Sequence, residues 1–246
     1  STLLASSAAS DVYKRQGTLG VKDGVLAFTF PDFAVTVEEE KKQAADPRAA
    51  EEVKSELNEI IGLSEVKDYV LSLEQNYIIQ RLREARGMKA DVPTMHMIFT
   101  GNPGTGKTTI ARLVAKYLKA IGALGGGQLV EVTRADLVGK YVGHTAPLTT
   151  QVMNSALGGV LFIDEAYSLY RGKDDSFGLE AIDTLVKGME GHRDELVVIL
   201  AGYTKEMQAF LGANSGLQSR FPNVVEFPDY TCLLYTSDAA DEARSV

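Results

Sequence analysis

Residues 101–109 read Gly-Asn-Pro-Gly-Thr-Gly-Lys-Thr-Thr, between an apolar run at 95–100 and a second apolar-rich stretch at 110–118. Gly101, Gly104 and Gly106 permit backbone conformations and close approaches that a Cβ would obstruct. Successive N–H groups can then curl around phosphate oxygens at the start of a helix, where the helix dipole also favours negative charge. Lys107 supplies a mobile cation for the β- and γ-phosphates, and the Thr108 hydroxyl can ligate Mg²⁺. The spacing Gly101-x-x-x-x-Gly106-Lys107-Thr108 is the complete P-loop pattern, in the strand-to-helix context it requires. A glycine-rich turn that matches by chance is the plain alternative, and that context argues against it.

The surrounding pattern extends the constraint. Apolar strand candidates fall at 95–100, 129–132, 160–163, 196–201 and 224–227. Helical spacing separates them at 107–121, about 147–157, about 177–190 and about 204–211. Strands alternating with helices argue a parallel sheet covered on both faces. Upstream, Ser64 can cap a helix with Val66, Val70, Leu73 and Tyr77 on one face, and Gly87 is placed to end it.

A P-loop binds nucleotide but does not by itself hydrolyse it. The second element is the stretch 158–169, "GGVLFIDEAYSL", whose run Val160–Ile163 is apolar and meets acids only at its end. Sites in open parallel sheets lie outside the carboxyl ends of the strands. Asp164 is thereby placed to hold Mg²⁺, and Glu165 to orient or deprotonate an attacking water. The bland alternative is that Asp164 and Glu165 cap the following turn.

Composition narrows the class. The chain has 246 residues, 45% hydrophobic and 24% charged, with room for a large core. Its net charge of −8 argues against a partner held mainly by nucleic-acid phosphates. No run is long and apolar enough for a membrane span, and the start does not read as a secretory signal. A single cysteine, Cys232, excludes a disulfide framework within the chain, so we expect a reducing, cytoplasmic setting. Residues 1–16 and 232–246 contain "DVYKRQ" and "CLLYTSDAADE", which resemble translated sequencing-library adapter. Both are set aside as non-native or disordered tails. Residues 17–56 read as a hairpin, with strands "VLAFTF" and "FAVTV", followed by a charged exposed helix or linker, and 57–231 as the core.

Taken together, "GNPGTGKTT" and "VLFIDEAY" resemble the AAA+ ATPases. "IIGLSEVK", "LVGKYVGHTAP", "VVILAGYTKEM", "NSGLQSRF" and "VEFPDYT" narrow the likeness to the branch containing stage V sporulation protein K and the red-type rubisco activase. The likeness covers about residues 57–231. It implies an α/β P-loop NTPase, a three-layer sandwich with a central parallel five-stranded sheet, here with a short N-terminal hairpin and helical extension. It also implies Mg²⁺-dependent ATP hydrolysis that remodels a protein substrate threaded through the pore of a homo-oligomeric ring, a hexamer.

The resemblance further assigns residues. The nucleotide falls to Ile61 and Gly62, with Ile60 beside them near the adenine, and to Asn102, Pro103, Gly104, Thr105, Gly106, Lys107, Thr108 and Thr109. The metal falls to Thr108 and Asp164. Catalysis falls to Lys107, Asp164, Glu165 and Arg220, the last reaching the neighbouring subunit's γ-phosphate. Tyr141 would line the pore, its ring gripping extended polypeptide without regard to sequence. The plain alternatives are a surface arginine beside Phe221, a Tyr141 and Val142 packed into local core, and an Ile60–Gly62 segment that only packs where α-helix begins. The loop 170–178 is either a second pore-facing segment or a solvated turn. Lys140 and His144 carry no separate reading.

Two departures from the family stand out. Tyr203 or Thr204 replaces the usual polar residue at the tip of the fourth strand. The helical lid expected after "FPDYT" is missing from this sequence, so a weak ATPase is expected. A nucleic-acid-associated motor on the same chassis is the runner-up, disfavoured by acidic charge and an aromatic loop. A small-molecule kinase lacks an acceptor-site motif and leaves Arg220 and Tyr141 unexplained.

Overall fold

The computed structural model describes residues 2–3, 17–22, 25–30, 33–36, 45–86, 94–213 and 215–229. Contacts divide the chain into two compact units between Lys42 and Gln43. The first is an antiparallel sheet of β1 (Thr2–Leu3), β2 (Gly17–Lys22), β3 (Val25–Phe30) and β4 (Phe33–Thr36), in that spatial order. The expected hairpin is β3–β4, with Phe28 opposite Val35. Strand β2 pairs along the other edge of β3, and Thr2 lies opposite Thr18. Extra strands matter because an isolated hairpin is marginal in water.

The second unit opens with α1 (Pro47–Glu59) and α2 (Ser64–Ala85). The charged 38–56 stretch was expected to be exposed, yet α1 buries Ala50, Val53 and Leu57 in the core. Three apolar residues at helical spacing suffice to make it amphipathic, although charged residues dominate its composition. Asp46 caps its start, accepting from the backbone of Arg48 and Ala49 at 3.0 and 3.3 Å, with Pro47 in the first turn. Helix α2 turns Val66, Val70 and Leu73 inward as its spacing predicts, and Tyr77 Oη donates to the Gly122 carbonyl at 2.6 Å. Ser64 is the first helical residue of α2, one position inside the expected cap. Gly87, expected to end it, lies outside the described residues.

The remaining elements alternate as expected: β5 (Met97–Gly101), α3 (Lys107–Ala120), β6 (Leu129–Val132), α4 (Arg134–Leu137), α5 (Thr145–Ser155) and β7 (Val160–Ile163). A 3₁₀ turn (Ala166–Leu169), α6 (Ser176–Gly191), β8 (Val197–Gly202), α7 (Thr204–Ala213), α8 (Ser215–Arg220) and β9 (Asn223–Phe227) complete the unit. The five strands are parallel, in the order β6-β7-β8-β5-β9. Strands β5, β7 and β8 are buried along their whole length, which is why they read as unbroken apolar runs rather than as alternation. Met97, Phe99, Phe162 and Ile199 pack toward α1, α2 and α3. Ile98, Leu161, Ile163 and Leu200 pack on the other face with α5, α6 and α7. The chain leaves β5 across one face to β6 at the far edge, whereas β8 leads to β9 across the other. Crevices form at such switch points, outside the strands' carboxyl ends.

At the opposite end of β5 sits His96, only 2% exposed. Its Nδ1 accepts from the Val198 backbone N–H at 3.0 Å, and the Phe221 ring lies 5.7 Å away. Burial, helped by the positive charge of Arg193, pushes its pKa down to about 4. The neutral ring is therefore the folded form, and protonation favours the unfolded chain from pH 6.5 downward. Between pH 7 and 4.5 the stability difference between wild type and His96→Gln should shrink by roughly 2–3 kcal/mol. Urea denaturation at the two pH values measures this, and a difference independent of pH would remove His96 as the titrating group.

Candidate functional site

The loop between β5 and α3 is shaped from both sides. Gly101 has φ +149°, and a Cβ there would stand 2.5 Å from the Phe227 carbonyl oxygen of β9. Gly106, the last residue before α3, has φ +86° and ψ 14°, a left-handed conformation that turns the first amides of the helix toward the loop. The Asn102 amide donates to both carboxylate oxygens of Asp229, at 2.8 and 2.9 Å, pinning the loop to the chain that follows β9. Buried Thr105 donates through Oγ1 to the Asn102 carbonyl at 2.8 Å. Lys107 Nζ reaches back across the loop and donates to the carbonyls of Gly101 and Asn102 at 2.9 and 2.6 Å. Burial lowers its pKa, and the nearby Asp164 carboxylate opposes the shift.

Adjacent strand ends complete the site. The loop leaves β5, Asp164 and Glu165 follow β7, and Gly202 and Tyr203 stand at the end of β8, which lies between the other two strands. Together they enclose a cleft of about 430 Å³, lined by Pro103, Gly104, Gly106, Lys107, Thr108, Thr109, Asp164, Glu165, Tyr167, Gly202 and Tyr203. Glu165 is exposed and left-handed, with φ 47° and ψ 44°. A non-glycine residue in that region costs of order 1–3 kcal/mol and persists only where its surroundings enforce it. Asp164 Oδ1 accepts from the Glu165 backbone N–H at 2.9 Å, and Glu165 precedes the 3₁₀ turn with no side-chain capping bond among the described residues.

Tyr167 was not singled out in the sequence, although it lies only three residues beyond Asp164. Its ring stacks on Tyr203, with centroids 5.7 Å apart at 29°. Burial pushes its hydroxyl up to about 12, and the Glu165 carboxylate adds to the shift. Of the two residues weighed for the tip of β8, Tyr203 lines the cleft and Thr204 begins α7. Thr108 and Asp164 both line the cleft and offer oxygen atoms, the ligand type of Mg²⁺, which takes few protein ligands and fills its shell from phosphates and water.

Other candidates stand elsewhere. Ile61 and Gly62 are not among the residues lining the cleft. Ile61 is 43% exposed, and Gly62 and Leu63, with φ +76° and +55°, form the turn into α2. Arg220 ends α8 just before β9. Because β9 runs parallel to β5, with Met97 opposite Asn223 and Gly101 opposite Phe227, Arg220 lies at the end of the sheet away from its own P-loop. There it forms an ion pair with Glu190 and donates through Nη1 to the Gly216 carbonyl at 2.8 Å. Tyr141 and Val142 are 68% and 88% exposed, which overturns the alternative that they form local core. The nearest ring to Tyr141 is His144, 5.6 Å away edge-on.

Residues 97–229, more than half of the chain, match the model of the ATPase family associated with various cellular activities (AAA). The chain belongs to this family. Among AAA relatives it is 47% identical to stage V sporulation protein K of Bacillus subtilis over 191 residues, 78% of this chain and 59% of that protein. It is 51% identical to protein CbbX of Cereibacter sphaeroides over 184 residues, 74% of this chain and 60% of that protein. It is also 51% identical to the chloroplastic ribulose bisphosphate carboxylase/oxygenase activase of Cyanidioschyzon merolae over 174 residues, 70% of this chain and 59% of that protein. These similarities support its place in the CbbX-like branch. The chain spans about 60% of the length of the curated relatives it matches.

Two loop glycines should respond differently to a methyl group. Gly101→Ala meets the Phe227 carbonyl and an unfavourable φ together, and should cost about 2–4 kcal/mol of stability. A Cβ at Gly104 meets nothing within 4 Å, so Gly104→Ala carries only its left-handed φ of +75°, about 1 kcal/mol. Urea denaturation of the two variants measures both, and equal losses would contradict the close contact with β9.

Proposed function

We propose that the chain is the motor domain of an ATPase that remodels a protein substrate, working as a homo-oligomeric ring, a hexamer. One observation carries the reading: loop amides, Lys107, Asp164 and Glu165 converge on a single cleft from separate strand ends. ATP is the substrate of that cleft. The amides at the start of α3 receive its phosphate oxygens, and the Lys107 ammonium turns from the Gly101 and Asn102 carbonyls to the β- and γ-phosphates. Thr108 and Asp164 hold Mg²⁺, which neutralises charge on the phosphates when bound. Glu165, exposed at the cleft, takes the proton of the attacking water, and Tyr203 borders the same space.

Arg220 acts across a subunit interface on this reading. Its distance from its own P-loop supports that assignment, as does an Nε buried without a partner among the described residues. The exposed ring of Tyr141 supports a role in gripping polypeptide, and threading through a central pore follows from it. A relative named for activating a carboxylase supports a protein substrate over nucleic acid. So does the net charge of −8.

Lys107→Ala should abolish or severely weaken ATP binding, whereas Glu165→Gln should keep ATP bound and stop turnover. Arg220→Ala should leave affinity intact and lower hydrolysis by about 10³-fold. Hydrolysis is measured with labelled ATP. Mixing the Glu165→Gln and Arg220→Ala proteins creates interfaces with one intact member of each kind and should restore turnover. A monomer hydrolysing at full rate, insensitive to Arg220→Ala, would sink the assignment in trans.

A further inference from the structure

Arg134, the first residue of α4, carries the most fully engaged guanidinium among the described residues. Nη1 and Nη2 donate to Asp175 Oδ2 and Oδ1 at 2.7 and 2.9 Å, a two-pronged ion pair with side chains only 16% and 10% exposed. Nη1 also donates to the carbonyls of Ser168 and Leu169, at 2.9 and 3.1 Å. Asp175 in turn caps α6, accepting from the Gly178 N–H at 3.1 Å. Nothing larger than glycine fits beside the pair: a Cβ on Gly178 would stand 2.0 Å from the Leu169 carbonyl and 2.8 Å from Arg134 Nη1. The guanidinium holds the Asp175 carboxyl below the usual carboxylate range.

The place of this ion pair is unusual. Ser168 and Leu169 belong to the 3₁₀ turn that begins at Glu165, and the Ser168 N–H donates to the Glu165 carbonyl at 2.8 Å. Helix α4 ends at Leu137, whose carbonyl accepts from buried Thr149, and leads directly into the exposed segment holding Tyr141 and Val142. Asp175 closes the 170–174 loop. One guanidinium therefore fixes the turn bearing Glu165, the root of the exposed aromatic loop and the end of the second loop. Breaking a buried pair on one side leaves an uncompensated charge, so the three segments keep their relation or lose it together.

We propose that Arg134 and Asp175 are positioning residues that couple the state of the nucleotide cleft to the exposed loop 138–144. The proposal rests on the nucleotide reading above. The turn at Glu165 is the element that ATP engages, and the Arg134 bonds to its carbonyls carry any displacement into α4. Lys107 and the loop amides make no contact with the pair, so nucleotide affinity should survive its loss.

The test is hydrogen–deuterium exchange of the 246-residue chain with and without Mg²⁺ and AMP-PNP. In wild type, AMP-PNP should slow exchange at 101–109 and change it by about tenfold at 138–144. Arg134→Lys keeps the charge but loses the fork and the carbonyl bonds. Asp175→Asn keeps a capping side chain for α6 and removes the ion pair, which guards against a variant that fails to fold. In both, protection at 101–109 should persist while the response at 138–144 disappears. A merely structural role would instead raise exchange throughout, with or without the analogue. A loop response equal to wild type in either folded variant would overturn the proposal, as would a wild-type loop that ignores AMP-PNP while 101–109 is protected. If 101–109 gains no protection in wild type, the nucleotide reading itself fails, and the coupling falls with it.

Discussion

Where β5 reverses into α3, the backbone lies against Phe227 so closely that no side chain can stand at Gly101. That contact sets the geometry of the loop. It brings β9 against the strand that carries the loop, with the Phe99 and Phe227 rings 4.9 Å apart behind it. It leaves the Asp229 carboxylate in reach of Asn102, so the loop is held at its start from the last strand of the sheet. The first helix amides follow the left-handed Gly106, and the Lys107 ammonium folds back over the same loop onto the Gly101 and Asn102 carbonyls.

Burial decides what the charged side chains of the second unit do. Arg134 and Asp175 are nearly enclosed, and both Nη atoms and both carboxylate oxygens are engaged; such a pair specifies one arrangement of the segments around it. Arg220 and Glu190 lie on the surface at the other end of the sheet, with side chains 25% and 45% exposed. Solvent and salt compete for that pair, so it is held less firmly than the enclosed one. Glu165 is a third case. Exposed, and without an ion pair among the described residues, it is held in a left-handed conformation between a buried strand and the 3₁₀ turn that Arg134 secures.

Much was legible along the chain because parallel strands buried on both faces leave an unmistakable record. The strand ends, the loop and the acids after β7 all follow from runs of apolar residues punctuated by glycine. Helix α1 was harder: Ala50, Val53 and Leu57 are few among many charges, and their burial depends on α3 being there to receive them. Tyr167 was equally hidden, since a tyrosine after an acidic pair has no spacing to mark it. Only the approach of β8 brings Tyr203 against its ring.

The amino-acid sequence alone determined the class of fold, the phosphate-binding loop and the position of Asp164 and Glu165. Each of these is local: a backbone conformation that only glycine permits, or a polar residue at the end of a buried strand. Tertiary structure decided which distant residues share a surface. It put Tyr203 in the cleft and Arg220 at the far end of the sheet, exposed Tyr141 and Val142, and joined Arg134 to Asp175 across 41 positions of sequence. No periodicity encodes such meetings, because they depend on the order in which strands lie side by side. That order is settled by packing the two faces of the sheet at once.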